Sequence, residues 1–235
     1  DGCTDNSKLV VSDIARSMAE IRMIVNDPKL GKGGAIRRGI LDAKGTSVGF
    51  IDGDNEIDPR FLRNAFTALK QGKTELVIGN RYCAGAAYHT TLARHITSRA
   101  YQAAIWMLFG LHLSDTQAGL KVFTSAAAKR LFTESNVNGY AFDIDVLTHA
   151  HWMGYDIAQI PIKQRFKGIS SIAHRHVLEM IADTCGTYDR HAREIFRRWR
   201  RHPSATSAAA TRSVLFFPFT TTLEYGLRRW VLRQK

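Results

Sequence analysis

Asp52 and Asp54 stand one residue apart at the end of a short apolar run, in "VGFIDGDNEIDP" (48–59). Carboxylates resist burial unless they are paired or bound to a cation. Alternating residues at a strand's end present their side chains to one side, so both can face one point. Two chemistries fit. Mg2+ or Mn2+ takes one or two carboxylates and completes its shell with phosphate oxygens and water; alternatively, the aspartates cap the N–H groups of a β-turn. Gly53 lets a ligand approach the backbone closely, and Glu56 adds a third oxygen nearby.

Four further constellations carry chemistry. In "GKGGAIRRG" (31–39) small residues at a helix start expose N–H groups to an anion, with Lys32 and Gly33 at its head and Arg37 and Arg38 adding charge. No Lys-Ser/Thr closes a G-x-x-x-x-G frame, so this is not a Walker loop; the plain alternative is a loop before a solvated basic helix. Arg81 in "GNRY", with Arg94 and Ser98 four apart on one helix face, could hold a phosphate, since guanidinium matches its geometry. "DTQAGLKVF" (115–123) and "YAFDID" (140–145) set Asp115, Gln117, Asp143 and Asp145 among apolar neighbours, and capping explains Asp143 equally well. Arg165 follows the run "IAQIPI" and precedes a Gly168–Ser171 turn.

The elements that must position these residues alternate between helical and strand patterns over the first 165 residues, which predicts an α/β fold. Helices are predicted from 5–7 to about 20, and over 33–44, 59–71, 91–110, 124–134 and 142–153; strands over 21–25, 47–51, 75–79 and 156–162. Pro59 suits a first helical turn, where its missing N–H costs nothing. Val177, Met180, Ile181, Thr184 and Tyr188 then fall at helical spacing, in a pattern that runs to Trp199.

A chain of 235 residues can bury a sizeable core. Its net charge of +12 is uneven: residues 163–235 hold 15 Lys and Arg against 5 Asp and Glu, or +10, which leaves +2 for residues 1–162. Such a tail favours an anionic surface. Cys3, Cys83 and Cys185 match neither a disulfide framework nor a zinc spacing, which points to a reducing compartment. No signal peptide and no run of 18 apolar residues is present. The chain opens on "DGCTDNS" rather than Met, and the expectation is of a missing N-terminal segment.

Taken in order, "GKGGAIRRGI", "FIDGD", "GNRY", "DTQAGLKVF", "YAFDIDVL" and the "QIPI" to Arg165 stretch resemble the polyprenyl-phosphate hexose synthases, the inverting family 2 glycosyltransferases that include dolichyl-phosphate mannose and glucose synthases. The resemblance covers residues 1 to about 172. It implies a glycosyltransferase A type nucleotide-sugar-binding sandwich, lacking the first strand-helix unit. It also implies transfer of a hexose from GDP-mannose or UDP-glucose to polyprenyl phosphate. Position by position, it implies that Asp52 and Asp54 hold Mg2+ or Mn2+ on the donor diphosphate, with Glu56 where relatives often have Gln. Arg81, Arg94 and Ser98 match residues that bind the acceptor's lipid phosphate, and Arg165 a basic residue near the donor phosphates. Asp1 and Asp5 match the end of a "DDGSTD" signature that contacts the nucleoside. Ser171 departs from a usual Lys, and Asn80 from a common Ser. A sugar-hydroxyl acceptor would instead need a base, for which Asp143 or Asp145 is the candidate.

The expected organisation is therefore a catalytic domain over 1–172, an amphipathic basic helix over 173–202, and a linker with a membrane-interface segment over 203–235. "VLFFPF" and "LRRWVLRQK" suit an interfacial anchor more than a span. That predicts a peripheral protein at the cytoplasmic face of a membrane. Its partners are a nucleotide sugar and a lipid phosphate; the oligomeric state is left open. The rivals are an inactive truncated scaffold and a nucleic-acid-binding module. The latter has no zinc-finger spacing or aromatic RNA-binding motif behind it and leaves the DGD unexplained, so no nucleic acid partner is expected.

Overall fold

The computed structural model describes residues 1–72, 74–89, 91–165 and 174–201, with side chains except at 88, 89, 93, 94, 174–177 and 194–201. The elements run α1 (Ser7–Ser17), α2 (Lys32–Asp42), β1 (Ser47–Ile51), α3 (Arg60–Gln71), β2 (Leu76–Asn80), β3 (Ala87–His89), α4 (Leu92–Phe109), β4 (Leu120–Thr124), α5 (Ser125–Glu134), α6 (Phe142–Trp152), β5 (Ile157–Pro161), β6 (Lys163–Arg165) and α7 (His174–Arg201).

The main sheet has the order β1-β4-β2-β5, and β3 pairs with β6 in a second, two-stranded sheet. β4 runs antiparallel to both β1 and β2, while β2 and β5 are parallel. It follows that β1, β2 and β5 all point one way and end on the same side of the sheet. Asp52 follows β1, Arg81 follows β2, and the 115–119 segment enters β4 from that same edge. In open α/β sheets the crevice beyond the carboxyl ends of parallel strands is where ligands bind.

The strands' period of two assigns side chains to two cores. Leu76, Ile78 and Phe123 face a large cluster with Ile40, Leu131, Phe132, Phe142, Ile144, Leu147 and Tyr188. Val77, Leu120 and Val122 face the opposite side, where Ile57, Ala65, Leu69 and Ile162 cover them. Every residue of β2 is buried, as a central strand requires.

Most predicted elements are present with ends shifted by a residue or two. The exceptions have physical causes. Residues 21–25 form no strand; Arg38 ties this segment down by donating to the Val25 carbonyl and the Asn26 side chain, and no sheet edge pairs with it. β4 is missed from sequence because Lys121 interrupts its apolar run. In the fold that lysine is 1% exposed and faces the large core, where its ammonium lies 2.7 Å from the Asp143 carboxylate and donates to the Ala118 carbonyl at 2.8 Å. Cys3, Cys83 and Cys185 form no disulfide among the described residues. Among the described residues no helix is long and apolar enough to cross a membrane.

Two substitutions test this packing. A Cβ on Gly33 would stand 2.5 Å from the Val137 carbonyl oxygen and 2.6 Å from Phe142 Cβ, so nothing soft can yield. Gly33→Ala should cost about 1–3 kcal/mol of stability, the usual cost of overpacking, read as a lower urea midpoint at unchanged m. Lys121→Ala strands Asp143 in the core and should cost ~3–5 kcal/mol by the same measurement, whereas Lys121→Met with Asp143→Leu should recover most of the loss.

Candidate functional site

The acidic turn after β1 shows the turn chemistry that its sequence suggests, together with a lysine pair. The Asp52 N–H donates to the Gly119 carbonyl at 2.8 Å, continuing the β1–β4 ladder one residue beyond the strand. Its carboxylate lies against Gly119, where a Cβ would fall 2.2 Å from Oδ2. Only glycine leaves that oxygen its place. Asp52 Oδ2 accepts from Lys32 Nζ at 2.8 Å, and both side chains are about three-quarters covered. Asp54 Oδ1 accepts the Glu56 N–H at 2.9 Å, an Asx turn completed by Asn55 in the left-handed region at φ 56°. The turn reading thus applies to Asp54, while Asp52 meets the Lys32 ammonium.

Glu56 knits the turn to the second sheet. Its side chain accepts from Gln164 at 2.7 Å and its carbonyl from the Arg165 N–H at 3.0 Å. The exposed Arg165 side chain therefore starts from the same wall as the acidic turn. Residues 52, 54 and 56 put three hard oxygen donors on one short loop, the ligand type that Mg2+ or Mn2+ takes, although among the described residues their oxygens are not gathered into a three-ligand cluster.

Lys32 connects this turn to a second buried pair. Burial alone would depress its ammonium, but the charges of Asp143 and Asp52 outweigh that and hold it above the ordinary lysine value. For Asp143 burial wins: its carboxyl is raised, although Lys121 and Lys32 pull it down. Lys121, Asp143, Lys32 and Asp52 thus alternate in sign from the core to the crevice.

The glycines of α2 serve packing rather than an open anion site. The Gly33 and Gly34 N–H groups both donate to the Asn138 carbonyl, at 2.8 and 3.3 Å. Arg37 reaches the Ser135 carbonyl and the Asn138 side chain, and Arg38 holds residues 25–26. The expected anion-binding helix start is corrected accordingly: its donors meet protein acceptors, leaving Lys32 as its one contribution to the crevice among the described side chains. Asp1 accepts from the Leu30 and Gly31 N–H groups at 2.7 and 3.0 Å, which fixes the entry to α2. Asp5 accepts from Ser7 at the start of α1, and this bond holds its carboxyl below the ordinary range.

Beyond β2, Arg81 grips Asp115 with two parallel bonds, Nε to Oδ2 at 2.7 Å and a terminal nitrogen to Oδ1 at 2.9 Å, and its N–H adds a third at 3.0 Å. Asp115 is 1% exposed. Its Oδ1 also accepts the Gln117 N–H, while the buried Gln117 amide nitrogen has no hydrogen-bond partner among the described residues. Buried Asn80 joins the same wall through Ser114, Gln159 and the Tyr82 N–H. Arg99, which sequence reasoning missed, lies from α4 over the Tyr82 ring at 5.4 Å, as Arg81 does at 5.5 Å. Ser98 sits half-buried on α4; the Arg94 side chain and residues 166–173, Ser171 among them, lie outside the described residues. Asp145 does not join the crevice; it packs against His149 and His191.

Comparison with known proteins agrees with this geometry. Residues 1–132 match the model of "Glycosyl transferase family 2". Glycosyltransferase AglD of Haloferax volcanii is 26% identical over 199 residues, 85% of this chain and 30% of that protein. Dolichyl-phosphate beta-glucosyltransferase ALG5D of Trichomonas vaginalis is 31% identical over 170 residues, 69% of this chain and 52% of that protein. The chain spans about half or less of the length of these two relatives. Glucosyl-3-phosphoglycerate synthase of Mycobacterium tuberculosis, solved with Mn2+, UDP and glucosyl-3-phosphoglycerate, superposes with a TM-score of 0.57 at 20% identity, covering 80% of this chain and 66% of that one. That likeness is one of fold, the glycosyltransferase A type sandwich. With its family model matched over more than half its length and its acidic turn at the crevice of that fold, the chain belongs to glycosyltransferase family 2.

Proposed function

We propose that this chain carries the catalytic unit of an enzyme that transfers a hexose, with inversion, from a nucleotide sugar to polyprenyl phosphate. The observation that carries the reading is the acidic turn of Asp52, Asp54 and Glu56 set beside Lys32 and Arg165 at the carboxyl end of β1. The bond from the anomeric carbon to the donor diphosphate breaks as a bond to an acceptor phosphate oxygen forms on the opposite face. Mg2+ or Mn2+ held by Asp52 and Asp54, with Glu56 as a further oxygen, would supply a Lewis acid for the charge on the departing diphosphate. Lys32 and Arg165 add fixed positive charge around that leaving group. Asp1, through the loop it pins, and Asp5 belong to the nucleoside end in this reading.

The acceptor phosphate is already ionised at neutral pH, so it needs alignment rather than a base. Arg81, Arg94 and Ser98 are assigned that role, and the clamp of Asp115 fixes the plane of the Arg81 guanidinium. Gln117, whose N–H donates to Asp115, is assigned to the sugar end of the crevice. Burial supports a phosphate over a hydroxyl acceptor: the two carboxylates that could act as base, Asp143 and Asp145, are 2% and 1% exposed and both face cations or imidazoles. The relatives named as dolichyl-phosphate glucosyltransferases make UDP-glucose the first donor to try, with GDP-mannose beside it.

A lipid acceptor also calls for a membrane surface. Leu92, Ile96, Trp106 and Met107 of α4 are exposed, and the basic segment from 173 onward, with the interface segment over 203–235, complements anionic lipid. We place the enzyme peripherally at the cytoplasmic face.

The test is a product assay with labelled UDP-glucose and GDP-mannose in parallel, Mn2+, and a short polyprenyl phosphate. One donor should yield lipid-linked hexose, and Asp54→Ala should lower turnover by about 100-fold or more with an unchanged melting temperature. Full turnover by Asp54→Ala overturns the metal assignment; transfer only to a sugar hydroxyl overturns the acceptor. Arg94→Ala should raise the KM for the lipid more than it lowers kcat.

A further inference from the structure

On the far side of α6 from the crevice, Asp145, His149 and His191 bring one ligating atom each to within 4.8 Å of one another. Asp145 and His149 are one helical turn apart on α6, and His191 comes from α7. The His149 Nδ1 lies 2.9 Å from the Asp145 carbonyl oxygen. A carbonyl can only accept, so Nδ1 carries the proton and Nε2 keeps its lone pair. Metal-bound histidines are commonly oriented by just such a bond from the other ring nitrogen.

The cluster has unspent bonding capacity. His191 Nε2 is 3.5 Å from Asp145 Oδ1, and neither that nitrogen nor Asp145 Oδ2 has a hydrogen-bond partner among the described residues. Both residues are more than nine-tenths buried. Two orphaned polar atoms in such a place would be costly with nothing between them.

The other groups facing the cluster are compatible with a cation. The Trp152 and Phe109 rings cover His191 at 4.3 and 6.5 Å between centroids. Arg190 stands 3.6 Å from Asp145 Oδ1, but its side chain is 47% exposed and can swing to solvent.

We propose that Asp145, His149 and His191 form a binding site for a borderline transition-metal ion, zinc in the first instance, that clips α7 onto α6. Two imidazoles and one carboxylate are a donor set suited to zinc rather than to Mg2+, and water completes the shell. The site is separate from the acidic turn and does not depend on the transfer reaction. Its role is to anchor the helix that leads into the basic segment.

Protein stripped with a chelator and titrated with zinc chloride should take up one equivalent that Asp54→Ala retains and that His191→Ala and His149→Ala each lose. Zinc should raise the melting temperature of the parent and of Asp54→Ala, but of neither histidine variant. His149 is half-buried, so its variant remains informative if His191→Ala folds poorly. Cobalt in place of zinc should give a visible ligand-field band that is absent in His149→Ala. A zinc isotherm and melting shift unaffected by His149→Ala, or the absence of any zinc-dependent shift, overturns the site.

Discussion

The crevice of this protein depends on a lysine that has no business in a core. Lys121 sits in β4 between two strands of opposite direction, buried to 1%, and a charge so placed survives only with a partner of opposite sign and further hydrogen bonds. Asp143 supplies the partner, the Ala118 carbonyl the further bond. The pair fixes the start of α6 over the sheet, and Asp143 in turn holds up the charge of Lys32, which meets Asp52.

Topology then explains why so few residues make a site. Three parallel strands end at one edge and the antiparallel β4 starts there, so turns far apart in sequence converge. Asp52 is hydrogen-bonded to Gly119, and Arg81 to Asp115, four residues earlier in the same segment. The 115–119 stretch is a hinge pin between the acidic turn and the arginine wall. Its glycine and its buried aspartate are constrained by contact, one by the space Asp52 occupies and the other by the guanidinium it must match.

Much of this is legible from the residues alone, for reasons that also mark where legibility stops. The DGD is visible because two carboxylates after an apolar strand have few explanations; the turn reading applies to Asp54, while the lysine that Asp52 meets stands 20 residues upstream and gives no local signal. Helices α3 to α6 announce themselves by period and capping. β4 does not, because a lysine in an apolar run reads as exposure until its partner, more than 20 residues on, is known. Arg37 and Arg38 look like a basic face yet donate to carbonyls and side chains of residues 25–26, 135 and 138. His191 carries no local signal at all; its meaning lies in a helix 40 residues upstream. Long-range pairing of polar groups is the information that periodicity lacks.

Helix α6 shows how one element serves two ends. Residues 142–148 are all buried, so the helix has no solvent face over its first two turns and is wedged between the sheet and α7. Asp143 and Asp145 lie two residues apart, about 200° around a helix, and so must point to opposite sides. One carboxylate completes the charge ladder to the crevice, and the other meets the imidazoles of His149 and His191. Carboxylates two residues apart on one helix thus face the acidic turn on one side and α7 on the other.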